Sequence, residues 1–392
     1  MINKDVSKLV SRNDSVLLSI AIPSKNRYET LIPVLDALLE HIVDDDYEIV
    51  VQDNSDDTQL INEWVAIRKD YRVKYFHQKG DFSQSENSSL AIDNCSGDYI
   101  IFIGDDDFVS PYICNVVREM KQQQINSLIY TPGNYYWEGI SFSKCSYLYQ
   151  CQMLYLPHRI FNTLIKKKSV SELKKFLNAG AVLIERLPKL YHGIVRKNVL
   201  DKIKNKWGTY FPGSSPDMAS SIALLLTLDS YYYVSYPASI TGVSVKSAAG
   251  LGAKGTHVGK IEDQKHLPKN ILQTWDEKVP KIWTGPSIYA QTASEVLGNN
   301  SAYKINYFVL YAYMLIYHPD LRPYIKEAIK KINTPSIIKE SYILYYLIQL
   351  FLKRCIGKIR RTVGIYPLRG YKNMSDVDIC MKYMKETVQL NI

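Results

Sequence analysis

Three consecutive aspartates, Asp105 to Asp107, directly follow the short apolar run YIIFI at residues 99–103. Adjacent carboxylates repel one another, so without a cation their ionised forms would be costly in a partly buried cleft. Hard divalent cations such as Mn²⁺ and Mg²⁺ bind carboxylate oxygens and leave coordination positions open for phosphate. The cluster therefore predicts a divalent metal site, with a solvated acidic turn as the alternative.

Two further polar segments also follow apolar runs. The turn Ser24 to Arg27 follows LLSIAIP at residues 17–23, and residues 52–57 (QDNSDD) follow the run 47–51. Helical spacing of apolar residues predicts helices over 27–43, 59–69 and 87–94, and residues 73–76 and 99–103 read as further strands. This alternation predicts an α/β fold with a largely parallel sheet. Ligands bind outside the carboxyl ends of such strands, where all three polar segments would meet.

The segment Ser19 to Pro111 resembles the nucleotide-sugar-binding domain of family 2 glycosyltransferases, which have the GT-A fold. The resemblance is carried by SIAIPSKNR at 19–27, EIVVQDNSDD at 48–57 and NSSLAIDNCSGDYIIFIGDDDFVSP at 87–111. It implies a nucleotide-sugar donor, expected to be UDP-linked, together with Mn²⁺ or Mg²⁺. Asp53 would contact the nucleobase or ribose, and Asn87 would lie near the diphosphate-sugar. The full set of donor-binding residues is expected to be Pro23, Ser24, Asn26, Arg27, Asp53, Asn54, Asn87 and Asp105.

The metal ligands expected from the resemblance are Asp106 and Asp107. Many relatives have Asp-x-Asp-Asp where this chain has Gly104-Asp105-Asp106-Asp107, and Gly104 offers no side-chain ligand. Which aspartates bind the metal therefore stays open.

The expected catalytic base is Asp217, in GSSPD at residues 213–217, ahead of a helical pattern over 218–228. Family members of this type usually invert the anomeric centre with an acidic base. The stretches 192–197 and 241–244 resemble the segments that flank this base, and Glu185 is the fallback. A carboxylate at a helix start is also an ordinary cap, which is the alternative role for Asp217.

The resemblance implies an inverting glycosyltransferase that acts on a polysaccharide or lipid-linked acceptor in bacterial capsule, O-antigen or other cell-surface glycan synthesis. A nucleotidyltransferase is the alternative enzyme, but it would need a glycine-rich loop after the first strand, and residues 23–27 contain no glycine. A non-catalytic, membrane-docked nucleotide-sugar-binding scaffold is the third possibility.

Composition narrows the class of protein further. The 392 residues carry a net charge of +9, but Lys and Arg are scattered, so a nucleic-acid partner is not expected. The six cysteines form no CxxC pair and the histidines no HExxH motif, which argues against zinc and for reduced thiols in the cytoplasm. The N-terminus has no apolar signal-peptide region. A homo-oligomer stays open.

We expect three regions along the chain. Residues 1–245 would form the GT-A-like domain, with a nucleotide-binding half at 15–111 and an acceptor half at 112–245. Residues 246–285 are rich in Gly and Lys and would be a loop or linker. A phosphate-binding lid is the alternative function for this segment. Residues 286–392 are expected to be helical, tyrosine-rich and basic. Residues 127–130 are expected to form a strand, 135–137 an aromatic loop, and 154–203 mainly helix.

The C-terminal region contains the nearly all-apolar run Tyr342 to Leu352, which is too short to span a bilayer. Five basic residues follow it without an acidic one: Lys353, Arg354, Lys358, Arg360 and Arg361. The run is either a core helix with a basic end or an interfacial helix on anionic lipid. The one-sided charge favours the second, which predicts a peripheral protein on the cytoplasmic face of the inner membrane.

Overall fold

A computed structural model describes residues 16–142, 150–184, 186–253, 258–264, 267, 270–298, 302–362 and 368–388. The strands are β1 (Leu18–Ser24), β2 (Tyr47–Asp53), β3 (Val73–His77), β4 (Tyr99–Phe102), β5 (Phe108–Val109), β6 (Ser127–Tyr130), β7 (Gly133–Tyr136), β8 (Met153–Pro157), β9 (Phe161–Lys168), β10 (Gly193–Arg196), β11 (Ser230–Ser235), β12 (Ser239–Val243) and β13 (Leu368–Tyr371).

The helices are α1 (Tyr28–His41), α2 (Gln59–Arg68), α3 (Gln84–Asp93), α4 (Ile113–Gln122), α5 (Ser169–Asn178), α6 (Lys197–Trp207), α7 (Pro216–Thr227), α8 (Ala248–Ala253), α9 (Ile271–Thr274), α10 (Gly285–Leu297), α11 (Tyr307–Tyr317), α12 (Arg322–Lys330), α13 (Ser336–Thr362) and α14 (Val377–Thr387). Single 3₁₀ turns occur at Ile261–Asp263 and Pro319–Leu321.

The larger sheet has eight strands in the order β3-β2-β1-β4-β10-β6-β11-β9. The four strands from β3 to β4 are parallel, whereas β10 is antiparallel to both of its neighbours and β9 is antiparallel to β11. Strands β1, β2 and β4 are short runs buried along almost their whole length, as expected for strands covered on both faces. The predicted α/β class with a largely parallel sheet is confirmed.

A second sheet has the order β13-β8-β7-β12-β5. Strand β5 starts at Phe108, directly after the three aspartates, while β4 of the larger sheet ends at Phe102. The aspartates therefore lie where the chain passes from one sheet to the other. Strand β12 pairs with β5, and this brings residues 242–244 back to the same junction.

Four features differ from the sequence-based expectations. Residues 154–203 contain strands β8, β9 and β10 as well as helices, and the expected aromatic loop begins within β7. Strand β13 interrupts the C-terminal helices. The segment 246–285 contains α8 and α9, and its residues Ile261, Leu267 and Ile271 form a small buried cluster with Trp283 and Ile288. The expected strand at 127–130 is β6.

The C-terminal helices pack in two places. Helices α10 and α11 share a buried apolar cluster with α7, whereas Val377, Cys380 and Met381 of α14 join the cluster beneath β1 and α1. Helix α13 lies along α11. Across the described ranges, no helix combines the length and the apolar character needed to cross a membrane.

Candidate active site

The carboxyl ends of β1, β2 and β4 lie side by side, as the sequence predicts. Ser24 at the end of β1 is in register with Asp53 at the end of β2, and the backbone N–H of Asn54 donates to the carbonyl oxygen of Ser24 at 2.9 Å. The hydroxyl of Ser24 donates to Oδ2 of Asp105 at 2.8 Å. Parallel pairing thus gathers all three polar segments at one edge of the sheet.

Arg27 forms ion pairs with two of the three aspartates. Its Nη1 lies 2.7 Å from Asp105, and its Nη2 lies 2.9 Å from Asp106. Nη2 also donates to the hydroxyl of Ser244 at 2.8 Å, and that hydroxyl donates to Asp106 at 2.7 Å. Both carboxylates are buried and face one cationic group.

Burial dominates the electrostatics of this pair of carboxylates. It raises the pKa of Asp105 to about 7, because desolvation of the charged form outweighs the attraction of Arg27. Burial and the adjacent charge of Asp107 likewise raise the pKa of Asp106. Burial also disfavours the charged guanidinium, but Asp105 and Asp106 outweigh that effect and raise the pKa of Arg27. A cation close to Asp105 and Asp106 therefore stabilises their ionised forms, as Arg27 does.

Asp107 has a different environment. Its Oδ2 accepts hydrogen bonds from the N–H of Gly104 at 2.7 Å and from the Tyr191 hydroxyl at 2.8 Å, and it lies 3.1 Å from Nε2 of His192. Its Oδ1 accepts from the N–H of Gly242 at 2.7 Å. Burial opposes ionisation of Asp107, but His192 and these hydrogen bonds hold its pKa below the usual range. Four protein groups thus contact this carboxylate and link β12 and the segment around the start of β10 to the aspartate loop.

Asp53 is also fully buried. Its Oδ2 accepts from the hydroxyls of Tyr28 and Tyr75 at 2.6 and 2.8 Å, and its Oδ1 accepts from the N–H of Ser55 at 2.8 Å. Burial, together with the hydrogen bond to Asp53, raises the pKa of Tyr28 to about 12. The carboxylate is held rigidly at the end of β2, with two phenol rings beside it.

Three asparagines complete this edge of the sheet. The side-chain oxygens of Asn54 and Asn87 are buried and, within the described part of the chain, accept no hydrogen bond. The amide nitrogen of Asn54 donates to the carbonyl oxygens of Gln78 and Gly80 at 2.8 and 3.0 Å. Asn26 adopts a left-handed backbone conformation, with φ of 56°, and its N–H donates to Ser55. Pro23 is the penultimate residue of β1. These amide oxygens could accept hydrogen bonds from a ligand.

Asp217 lies in the first turn of α7, beside the aspartate cluster. Helix α7 begins at Pro216, and the preceding loop is fixed to α10, because Ser214 donates twice to Glu295 and the N–H of Ser215 donates to Thr292. The N-cap residue is Ser215, so Asp217 is not the N-cap. A C-terminal helix thus sets the position of the expected base.

The charge environment of Asp217 is mixed. Burial raises its pKa, Asp107 raises it further, and Lys189 and His192 oppose the shift. Burial also lowers the pKa of Lys189. A carboxylate with a raised pKa accepts a proton more readily than an ordinary aspartate does, which suits a general base. Glu185, the fallback base, lies outside the described residues.

A divalent metal fits the pair Asp105 and Asp106 better than the expected pair Asp106 and Asp107. Asp105 and Asp106 converge on one cation, the Arg27 guanidinium, and two carboxylates with substrate phosphates are a common Mg²⁺ site. Asp107, also expected to be a ligand, accepts hydrogen bonds from the backbone N–H groups of Gly104 and Gly242. Among the described residues, no three His, Cys, Asp or Glu side chains are grouped as a metal site.

Several partners at the site were not expected from the sequence. Tyr28, Tyr75 and Tyr191 donate to the aspartates from separate elements, and Lys189 lies beside Asp217. The resemblance of residues 192–197 and 241–244 to flanking segments was the available signal for His192 and Ser244. Nothing in the sequence marks the tyrosines.

Residues 19–170 match the family model described as Glycosyl transferase family 2. Together with the strand order, this match confirms the predicted GT-A architecture. An uncharacterized glycosyltransferase of Rickettsia conorii is 31% identical over 120 residues, which cover 30% of this chain and 19% of that protein. A protein of Escherichia coli named as the colanic acid biosynthesis glycosyl transferase WcaA is 27% identical over 128 residues, covering 33% and 46%. The matches thus span less than half the length of either relative.

Solved structures give weaker likenesses. The crystal structure of S. aureus TarS 1-349 with UDP-GlcNAc has a TM-score of 0.42 at 12% identity, covering 84% of this chain and 71% of that one. GalNAc-T7 with UDP, GalNAc and Mn²⁺ has a TM-score of 0.41 at 13% identity, covering 60% and 44%. TM-scores of this size are too low to support a functional argument.

Proposed function

We propose that the protein transfers a sugar from a nucleotide-diphosphate donor, UDP-linked by expectation, to a hydroxyl group of a glycan or lipid-linked acceptor. The observation that carries the proposal is the meeting of Asp53, the Arg27–Asp105–Asp106 group and Asp217 at the carboxyl edge of one parallel sheet. The match of residues 19–170 to the glycosyltransferase family 2 model supports glycosyl transfer over nucleotidyl transfer or a scaffold without activity.

The roles of the donor-site residues follow from their chemistry. Asp53 would accept a hydrogen bond from the nucleobase or ribose in place of one from Tyr28 or Tyr75. The unpaired amide oxygens of Asn54 and Asn87 would accept from donor hydroxyl groups. A divalent cation, Mn²⁺ or Mg²⁺, would be held by Asp105 and Asp106 in place of Arg27, and when bound it would neutralise the leaving diphosphate.

Asp217 is the proposed general base. It would take the proton from the acceptor hydroxyl, whose oxygen forms a bond to the anomeric carbon as the bond from that carbon to the diphosphate oxygen breaks. The nucleoside diphosphate leaves with the bonding electron pair, and attack from the opposite face inverts the anomeric centre. The raised pKa of Asp217 supports this role, and the N-cap position of α7 is held by Ser215.

The proposed biosynthetic role and cellular location follow from the resemblance of the sequence to family 2 glycosyltransferases. We propose a role in assembly of a bacterial surface polysaccharide, such as capsule or O-antigen, at the cytoplasmic face of the inner membrane. The homo-oligomer and the division into residues 1–245, 246–285 and 286–392 stay predictions. The contact between the loop before Asp217 and α10 means that a truncation at residue 245, which removes α10, should remove support for the base.

The proposal is tested by thermal unfolding of the full chain with a panel of UDP-, GDP- and dTDP-sugars, with and without Mn²⁺. A ligand that binds only the folded state stabilises it, by about 2.7 kcal/mol at a hundredfold excess over Kd, and therefore raises the melting temperature. We expect stabilisation by one nucleotide class, and slow hydrolysis of the same donor. If no nucleotide sugar stabilises the protein under either condition, the proposed function is wrong.

A further inference from the structure

Helix α13 carries a continuous stripe of apolar side chains that faces solvent. The members recur every three or four residues, which places them on one side of a helix. Each is more than half exposed: Leu344, Tyr345, Ile348, Phe351, Leu352, Ile356 and Ile359. A stripe of this size on a protein surface marks an interaction site rather than chance exposure.

The opposite side of α13 is fixed to the body of the protein. Ile343 is buried, the Tyr342 ring stacks on Phe308 with ring centroids 5.3 Å apart, and the Tyr346 hydroxyl accepts a hydrogen bond from Asn306 at 3.0 Å. Near the other end, Arg354 donates to the carbonyl oxygen of Ile316 at 3.3 Å. The helix is therefore docked along α11 by one face, and the apolar stripe is its outer face.

Charge decides which partner the stripe fits. Residues 341–362 contain no Asp or Glu, whereas Lys353, Arg354, Lys358, Arg360 and Arg361 lie in the C-terminal half. A second copy of the helix could match the apolar spacing, but paired helices normally place acidic and basic residues opposite each other. Two copies of residues 341–362 would offer each other only cations, because the one acidic residue of α13, Glu340, precedes the stripe. The partner must therefore present both an apolar region and negative charge along about 24 Å, the length of residues 344–360 in a helix.

We propose that α13 is an interfacial helix that binds the surface of a bilayer containing anionic phospholipid. The stripe from Leu344 to Ile359 enters the boundary between headgroups and acyl chains, and Lys353, Lys358 and Arg360 contact the headgroups. The helix lies in the plane of the surface and does not cross the bilayer. This inference is independent of the donor site, and it would bring that site to the surface at which a lipid-linked acceptor is presented.

The first test is co-sedimentation of the full chain with vesicles of phosphatidylcholine alone or with about one third phosphatidylglycerol. We expect binding to the anionic vesicles at low salt, little binding to the neutral ones, and weaker binding at high salt because mobile ions screen the cations. Combined Lys353→Gln, Lys358→Gln and Arg360→Gln should weaken partitioning about 100-fold, since each cation near an anionic leaflet contributes about a fivefold factor. The matched control neutralises the exposed Lys69, Lys174 and Lys202.

The second test changes the stripe and leaves the charges in place. Ile348→Ser with Leu352→Ser should lower binding to anionic vesicles, while the melting temperature and UDP affinity stay within error of the wild type because both side chains are solvent-exposed. Light scattering after size exclusion measures the mass of each protein. The inference fails if the wild type does not sediment with anionic vesicles, if the control triple variant loses as much binding, or if the stripe variant dissociates a dimer that the wild type forms without lipid.

Discussion

The Nη1 atom of Arg27 lies 2.7 Å from the carboxylate of Asp105 and joins the turn after β1 to the loop after β4. The same guanidinium pairs with Asp106, so a side chain supplies the cation at the point where a metal was expected. A divalent ion that takes the two oxygens now paired with Arg27 would displace the guanidinium and free it to contact a donor diphosphate. Arg27 and the metal are therefore competitors for the same two oxygens.

Removal of this competitor should strengthen metal binding. Arg27→Ala is expected to bind Mn²⁺ at least tenfold more tightly in calorimetry without nucleotide. In the wild type the metal must first break the hydrogen bonds between Arg27 and the carboxylates, and a hydrogen bond to a charged group contributes about 1.5–3 kcal/mol. Without metal, the variant should melt earlier than the wild type, since it leaves buried carboxylates unpaired. Arg68→Ala, which removes a longer and exposed ion pair to Asp36, is the matched control. Unchanged Mn²⁺ affinity in Arg27→Ala would exclude the competition.

Asp217→Asn should separate catalysis from binding. We expect the transfer rate to fall by about two to four powers of ten, the usual contribution of acid–base catalysis, with UDP-sugar affinity unchanged. In the wild type, the rate should rise with pH through the pKa of Asp217, which burial raises above that of an ordinary aspartate, and this acidic limb should disappear in the variant. Asp217→Glu should recover part of the rate. A variant that melts early but keeps its rate would make Asp217 a structural residue.

The sequence predicts the N-terminal sheet well because β1, β2 and β4 are short apolar runs that end in polar turns. It fails at β9, because an edge strand that carries Lys166, Lys167 and Lys168 lacks an apolar run, and lysine is common on such edges. The apolar run of β8 cannot be told from a buried helix segment by periodicity alone.

Local motifs in the sequence mark some of the candidate site residues, whereas others come together only in the folded structure. Arg27 and Asp105 are both in the motifs, but the ion pair depends on two loops that face each other. Tyr191 reaches Asp107 from the segment before β10, and no spacing in the chain connects the two. In the same way, the run Tyr342 to Leu352 does not reveal whether its side chains are buried or exposed.

The raised pKa of Asp105 predicts a pH-dependent stability. Its pKa rises from 3.8 to about 7 on folding, so the folded state binds a proton more tightly than the unfolded state does. The free energy of unfolding contributed by this proton is therefore lost as the pH rises from about 4 to 7. Asp105→Asn removes this dependence. The melting temperature of the variant relative to the wild type should therefore increase across that range and level off above pH 7. Asp81→Asn, at an exposed position, should give no such trend. A flat difference for Asp105→Asn contradicts the assignment.

Gly242 controls the distance between β12 and the aspartate loop. A Cβ at this position would lie 1.7 Å from the carbonyl oxygen of Asp106 and 2.9 Å from Nε1 of Trp137. Because the backbone of Asp106 cannot rotate away as a side chain could, Gly242→Ala must push the loop outward. The hydrogen bond from the Gly242 N–H to Asp107 would then lengthen, along with the contacts of Ser244 with Asp106.

We expect Gly242→Ala to cost about 1–3 kcal/mol of unfolding free energy, the usual effect of an overpacked site, measured by urea denaturation. Donor affinity should fall as well, because the strand and the aspartates no longer keep their spacing. Gly357→Ala in α13 is the matched control: a Cβ there meets no atom within 4 Å, and alanine in a helix is favoured over glycine by about 0.5–1 kcal/mol. If Gly242→Ala retains wild-type stability and UDP-sugar affinity, the close approach of β12 does not hold the aspartate loop in place.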